Sequence, residues 1–413
     1  YYSVTIGNCR FCGDSLQHTF VDLGMSPLSN AFLSKAHLHC AEKFYPLHAY
    51  VCQNCFLVQL EQFEPPEHIF KDYAYFSSYS DSWLNHAKAY TDMMIDRFEL
   101  DQSSQVIEIA SNDGYLLQYF QEKGIPILGI EPAANVAQVA EAKGVPTLVK
   151  FFNTATAKEL VAKGKQADLL LGNNVLAHVP NLNDFIFGMK LLLKESGILT
   201  MEFPHLLQLI QQNQFDTIYH EHCSYLSFST LEKIFSSHQL TLFDVEKLWT
   251  HGGSLRIYAK HSSEAVTASD RVIQLKSEEL QAGLDQIETY LEFGKKVQLV
   301  KRELLTFLIH ARDQGRVVVA YGAAAKGNTL LNFCGIRTDF IDYVVDRNPH
   351  KQGLFLPGTH IPIYSPDQIR ETQPDYLLIL PWNFKEEIMQ QQSYIREWGG
   401  KFVIPIPQLE VIG

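Results

Sequence analysis

The residues best suited to chemistry fall into a few short clusters. Seven cysteines are present, at 9, 12, 40, 52, 55, 223 and 334, and four of them form two pairs, Cys9-Arg10-Phe11-Cys12 and Cys52-Gln53-Asn54-Cys55. In a reducing compartment two CxxC pairs read as a zinc site rather than as disulfides. A redox CxxC needs one pair and a βαβ context, which is absent around either pair. Four thiolates complete a tetrahedral sphere and leave no position for water, so Cys9, Cys12, Cys52 and Cys55 are expected to hold a structural zinc ion. Tyr219-His220-Glu221-His222 places a phenol, two imidazoles and a carboxylate in four residues. HxEH is not the HExxH pattern, and histidines at i and i+2 share no helical face. In an extended segment Tyr219 and Glu221 would face one way, His220 and His222 the other. The cluster suits acid–base chemistry, with His222 near neutrality and Glu221 fixing its tautomer; the plainer reading is a polar surface loop. Tyr73-Ala74-Tyr75-Phe76-Ser77-Ser78-Tyr79-Ser80 gathers phenols and hydroxyls that can donate to a carbonyl and its enolate, or else form a hydrogen-bonded linker.

Two turns add ligand-binding potential. His251-Gly252-Gly253-Ser254-Leu255-Arg256 is either an anion site using Arg256 or a hairpin turn. Gly322-Ala323-Ala324-Ala325-Lys326-Gly327-Asn328-Thr329 follows the strand ending at Tyr321 and opens a helix. It approaches the phosphate-binding pattern GxxxxGK[ST], but Asn328 stands where the lysine belongs, so ATP hydrolysis is not expected. Lys326 and a helix N-terminus still make a phosphate cradle, and close helix–strand packing is the alternative.

Elements that alternate between strand and helix carry these clusters. Buried strands are expected at Gln105–Ala110, Ile127–Ile130, Ala167–Gly172 and Gly197–Glu202, with a helix over Asp81–Leu100 before them. The first strand runs into Ser111-Asn112-Asp113-Gly114, a tight turn with one glycine. Glu131, at the end of the second strand, is placed to accept ribose hydroxyls. Asn173-Asn174-Val175-Leu176-Ala177-His178-Val179-Pro180 follows the third, where His178 caps a helix, packs, or does chemistry. Residues 270–312 read as connecting helices, after which the pattern restarts with strands at Arg316–Gly322, Phe340–Asp346 and Tyr376–Pro381. The fold class is therefore α/β, with parallel, doubly wound sheets whose ligands sit beyond the carboxyl ends of the strands. The expected division is 1–75 (a small zinc-binding domain), 76–265 (a Rossmann-like domain) and 266–413 (a second Rossmann-like domain with connecting helices).

The chain of 413 residues is 46% hydrophobic and 19% charged, with net charge −12. This composition excludes a disordered chain, and the acidity argues against sequence-independent nucleic-acid binding. No apolar run is long enough for a membrane span, and the first residues show no secretory pattern. A monomer in the cytoplasm is the expectation.

Together, the paired CxxC, the YxYxSSxS stretch, the ExxxNDG turn, the NNVxAHV segment, YHEH, HGGSLR and YGAAAKGN resemble, in order and over nearly the whole chain, the zinc-containing deoxysugar C-methyltransferases that act on dTDP-4-keto sugars. The strand and turn alone resemble the first motif of S-adenosylmethionine-dependent methyltransferases, whose fold is the class I Rossmann-like one. The resemblance implies S-adenosylmethionine as cofactor, held by Glu108, Ala110, Asn112, Gly114, Glu131, Pro132, Asn173 and Asn174. It implies a dTDP-sugar as small-molecule substrate, near Tyr73, Ser77, Ser78, Arg256, Tyr321, Lys326 and Asn328. It implies an active site of Tyr75, His178, Tyr219, Glu221 and His222, with His222 or Tyr219 as base and the Tyr73/Tyr75 register open. The implied reaction is methylation of carbon 3 through an enolate. O-methylation with the same cofactor, a nicotinamide oxidoreductase and a non-enzymatic zinc scaffold are the other readings.

Overall fold

The structure, a computed structural model, describes residues 7–65, 77–79, 81–264 and 266–413. Its first sheet follows from short alternating runs that bury one face each. Strands β1 (His18–Ser26), β2 (Tyr45–Val51) and β3 (Val58–Leu60) pair antiparallel. The fourth strand of this sheet comes from far along the chain: β9 (Ser224–Tyr225) pairs with β3, Val58 opposite Tyr225 and Gln59 opposite Ser224.

Continuous apolar runs build the second sheet, as expected for strands covered on both faces. Its parallel strands are β4 (Val106–Ile109), β5 (Ile127–Ile130), β6 (Thr147–Leu148), β7 (Ala167–Asn173) and β8 (Leu193–Pro204). The hairpin β10 (Leu240–Leu248) and β11 (Ser254–His261) adds antiparallel to β8. The order is β10-β11-β8-β7-β4-β5-β6, so the chain reverses direction across the sheet at β4 and opens a crevice between β4 and β7.

The third sheet has the order β14-β13-β12-β15-β16-β17. It comprises β12 (Val318–Tyr321), β13 (Val344–Val345), β14 (Ile363–Tyr364), β15 (Tyr376–Ile379), β16 (Lys401–Ile404) and β17 (Glu410–Ile412), the last antiparallel. The strand expected over Phe340–Asp346 is only the two residues of β13, because the chain before it turns rather than extends. The connecting region is three helices, Asp270–Gln281, Ile287–Leu291 and Phe293–Asp313. The last buries Val297, Val300, Leu304, Leu308 and Ala311 at helical spacing, and its Phe293 ring stacks on Phe20 of β1 with centroids 4.5 Å apart. One apolar core thus runs from the first sheet through the last two of these helices into the third, while Val272 and Leu275 of the first helix pack in the core of the second sheet. No helix among the described residues is long and apolar enough to cross a membrane.

Candidate active site

The turn after β4 carries three residues in the left-handed region, Ala110, Asn112 and Gly114. A side chain at Gly114 would place its Cβ 2.9 Å from Val145, so glycine is required there for both space and backbone angle. Glu131 holds the turn: its carboxylate accepts the Asn112 amide at 3.0 Å and the Ala133 amide at 2.9 Å. Asn112 in turn accepts the Ser77 amide at 2.9 Å, while Ser78 donates to Asp113, which Lys143 also reaches at 3.2 Å. Ser77 and Ser78, expected beside the substrate, are therefore tied to the turn after β4. Pro132 lies between Glu131 and the Ala133 amide. Asn173 donates to the Tyr115 hydroxyl at 3.4 Å, and Asn174 adopts a left-handed conformation after β7.

Glu108, in the middle of β4, is fully buried, and neither carboxylate oxygen meets a hydrogen-bond donor among the described residues. Burial drives its pKa well above the carboxylate range, the nearby Tyr115 hydroxyl opposing this in part. Ser111 Oγ and Asn174 Oδ1 are likewise buried without partners among the described residues. Buried polar atoms without partners are uncommon, and these four, on three residues in β4 or just after β4 and β7, mark a place built for a polar ligand.

Tyr219–His222 is a turn, not an extended segment. The His222 amide donates to the Tyr219 carbonyl at 2.9 Å, bringing Tyr219 and His222 to one side with ring centroids 4.0 Å apart. His178, in the short helical turn Leu176–His178 after β7, lies edge-on to His222 at 4.7 Å. The Nδ1 of His222 donates to the Thr217 carbonyl at 2.8 Å, which leaves Nε2 as the acceptor. Burial pushes the pKa of His222 well below the imidazole range and that of His178 down to about 4. Glu221 does not orient His222, contrary to expectation. Its carboxylate instead accepts the Asn30 amide at 2.7 Å, because the turn aims it toward the first sheet. His220 bonds the Pro46 carbonyl at 3.1 Å. Tyr73 and Tyr75 lie outside the described residues.

The third sheet contributes to the same place. Lys326 donates to Asn383 at 2.8 Å and lies 4.5 Å over the Trp382 ring. Trp382 donates to buried Asp216 at 2.7 Å, one residue before the carbonyl that orients His222. Burial raises Asp216 to about 6 and lowers Lys326, which acts on His222 and His251 as a neighbouring charge. Asn328 is buried: its amide donates to the Ser29 carbonyl at 2.6 Å, and its Oδ1 meets no donor among the described residues. Tyr321 is buried at the end of β12, its hydroxyl without a partner among the described residues.

Arg256 is also corrected. Its Nε reaches Glu202 at 2.7 Å, Nη1 reaches Glu246 at 2.8 Å, and the guanidinium lies over Tyr90, so it serves the β8–β11 pairing and has no free fork for an anion. In the HGGSLR segment His251-Gly252-Gly253 lie in the β10–β11 hairpin turn and Ser254-Leu255-Arg256 begin β11. Its His251 is left-handed, and a Cβ on Gly252 would come within 2.6 Å of Trp382. Asp216, Thr217, Trp382, Asn30 and Arg10 were not anticipated. Thr217 acts through its carbonyl, which residue type does not reveal. The other contacts span long stretches of chain.

Comparison with known proteins agrees with this layout. Residues 249–407 match the C-methyltransferase C-terminal domain, 83–245 a methyltransferase domain, and 9–70 a zinc-binding domain. The chain is 34% identical over 407 residues to the C-methyltransferase NovU of Streptomyces niveus, covering 98% of this chain and 97% of that one. The chain belongs to the zinc-containing, S-adenosylmethionine-dependent C-methyltransferases. An S-adenosylmethionine-dependent methyltransferase of Clostridium acetobutylicum covers 43% of this methyltransferase and 92% of its own chain, at TM-score 0.35 and 11% identity. The magnesium protoporphyrin IX methyltransferase of Synechocystis, solved with S-adenosylhomocysteine, covers 43% and 83%, at TM-score 0.34 and 14% identity.

The residues present fit both groups. In the methyltransferase the sulfurs of Cys9, Cys12, Cys52 and Cys55 all lie within 4.8 Å of one another. Cys9–Cys55 is 3.6 Å, Cys12–Cys52 3.5 Å and Cys12–Cys55 3.8 Å. A tetrahedron with Zn–S bonds of about 2.3 Å has edges of about 3.8 Å, so the thiolates are set for zinc. Gln59 donates to Cys9 Sγ at 3.2 Å, the outer hydrogen bond such ligands require. For S-adenosylmethionine, the unpartnered Glu108 carboxylate and the left-handed turn offer the polar partners and close backbone approach.

Proposed function

We propose that the protein methylates carbon 3 of a dTDP-linked 4-keto-deoxysugar. The observation that carries this reading is His222, buried and held toward its neutral form, with Nδ1 fixed on the Thr217 carbonyl so that Nε2 is the acceptor. Such an imidazole can take the proton from a carbon next to a ketone; the C–H electron pair then moves onto the ketone oxygen as an enolate. S-adenosylmethionine, which Glu108 and the turn held by Glu131 would bind, would supply the electrophilic methyl group for that carbon and carry the sulfur leaving group. Tyr219 stands beside His222 as the other candidate base, and its phenol would then hand on the proton. His178, its pKa held near 4, is neutral and gives its one N–H to the Glu221 carbonyl, so its buried Nδ1 is an acceptor that can position a substrate hydroxyl. Lys326 is the cation available to the substrate's diphosphate, held by Asn383 and Trp382 at the edge of the acid–base cluster. Binding energy there, remote from the reacting carbon, holds the sugar in line.

Replacement His222→Asn tests the assignment. Turnover is expected to fall by about 10²–10⁴, with S-adenosylhomocysteine affinity within about twofold of the parent. Wild-type protein should also wash solvent deuterium into the carbon next to the ketone. Near-normal turnover in the variant removes His222 from the base role, and transfer without exchange favours methylation on oxygen.

A further inference from the structure

The loop of the first zinc knuckle reaches both histidine-bearing segments. Arg10, between Cys9 and Cys12, donates from Nη1 to the Pro180 carbonyl at 3.0 Å, two residues beyond His178, and from Nη2 to the Leu60 carbonyl at the end of β3. Its backbone amide donates to Gln59, and Gln59 donates to the Cys9 sulfur. From β3 the network continues to the other histidine. The Leu60 amide donates to the Cys223 carbonyl at 3.0 Å, and Gln59 pairs with Ser224. Cys223, the residue after His222, donates its amide to the Ala177 carbonyl at 2.7 Å, and its sulfur lies 3.8 Å from the His178 carbonyl. Asn183 binds the Phe11 carbonyl at 2.9 Å and Thr230 the Cys55 carbonyl at 3.1 Å, anchoring the knuckles to the second sheet's helices.

We propose that Arg10 is a positioning residue for His178 and His222, so that the zinc knuckle holds the two imidazoles in register as well as folding its own domain. A guanidinium suits this task because its rigid fork binds two carbonyls from separate segments at once. The metal fixes the loop that carries it. The histidine roles belong to the reading above; the placement of the rings is a separate, measurable matter.

The experiment uses zinc-loaded, full-length protein with Arg10→Met and Arg10→Lys. Four quantities are measured: deuterium wash-in and kcat with a dTDP-4-keto-6-deoxyhexose, S-adenosylhomocysteine affinity, bound zinc, and ring signals of ¹⁵N-histidine-labelled protein. Arg10→Met should lower exchange and kcat by about 10–100-fold, as loss of an outer-shell partner does, with zinc content and S-adenosylhomocysteine affinity unchanged. The His178 and His222 ring signals should shift, and Arg10→Lys should recover part of the rate. Unchanged rates and ring signals overturn the proposal, and so does loss of zinc and cofactor binding in step with activity. If Arg10→Met does not fold, Arg10→Lys decides, and wild-type rates and ring signals there overturn it. A wild-type protein inactive on this sugar refutes the substrate reading, while the ring signals still test Arg10.

Discussion

The second and third sheets are built on the same turn yet serve different ends. In each, a carboxylate at the end of the second strand accepts two backbone amides, one from the turn after the first strand and one from two residues beyond itself. Glu131 takes Asn112 and Ala133; Asp346 takes Ala323 at 2.8 Å and Asn348 at 2.8 Å. The difference lies in what remains. Around β4 the chain keeps a buried carboxylate, Glu108, without a donor, and strains three residues into the left-handed region. Around β12 the strand is Val318-Val319-Ala320-Tyr321, the turn uses one left-handed residue, Gly322, and Lys351 closes it with a bond to the Ala323 carbonyl at 2.8 Å. The unsatisfied carboxylate in the middle of β4 marks a place for a polar ligand. The third sheet's turn carboxylate is satisfied, and what that sheet offers a ligand is Lys326 and the buried Tyr321 hydroxyl at the end of β12.

The largest expected effect breaks that contrast directly. Glu108→Gln should weaken S-adenosylhomocysteine binding by about 10–100-fold, through loss of a buried carboxyl partner for the ligand, while leaving the unliganded protein at least as stable. Asp346→Asn should do the reverse: binding unchanged, with stability lower by about 1–2 kcal/mol as one amide loses its acceptor. Calorimetric titration and chemical unfolding of both variants decide. Equal loss of binding in the two would mean that both sheets shape the cofactor site.

What could be read from the chain beforehand follows the same line. The Cys9–Cys12 and Cys52–Cys55 pairs, the β4 turn and Glu131 are local patterns, in which spacing alone dictates geometry. The failures are long-range. Glu221 meets Asn30 across 191 residues, and Arg256 meets Glu202 across 54, so no local pattern shows that these charges already have partners. Thr217 contributes only a carbonyl. Tyr219 and His222 share a side because the segment turns, and an alternating extended pattern could not show that.

The acid–base cluster, at the seam of the two sheets, predicts an intermediate effect. The folded-state pKa values of His178 and His222 are depressed, to about 4 for His178 and well below the ordinary range for His222. The folded chain therefore binds these protons more weakly than the unfolded chain does. As pH falls from about 6.5 toward 4, the unfolded chain gains protons first, and stability is lost in that window. Asp216, raised to about 6, works in the opposite sense below that pH, so the net loss is smaller than two histidines alone would give. For turnover the sign is simpler. A base must be neutral, so kcat should persist as pH drops through 6.5 and fall only below it. An acidic limb centred above 6.5 would show that the base is not this buried imidazole.

The smallest effect concerns Gly322, the left-handed glycine of the β12 turn. Its φ is +94°, and an added Cβ would lie 2.5 Å from Pro381 Cδ, a ring that cannot rotate away. Gly322→Ala therefore has to distort the β12 turn or shift the Pro381-Trp382 segment, at a cost of about 1–3 kcal/mol. That segment carries the tryptophan under Lys326, so the Michaelis constant for the nucleotide sugar should rise severalfold while S-adenosylhomocysteine affinity stays the same. Gly114→Ala meets Val145 Cγ2 at 2.9 Å and its Cβ at 3.2 Å, so it must distort the turn after β4, and there the affinity for S-adenosylhomocysteine should fall. If the two alanines change the same constant, the division of labour between the sheets is wrong: the third sheet then supports the cofactor turn and is not the carrier of the substrate's cation.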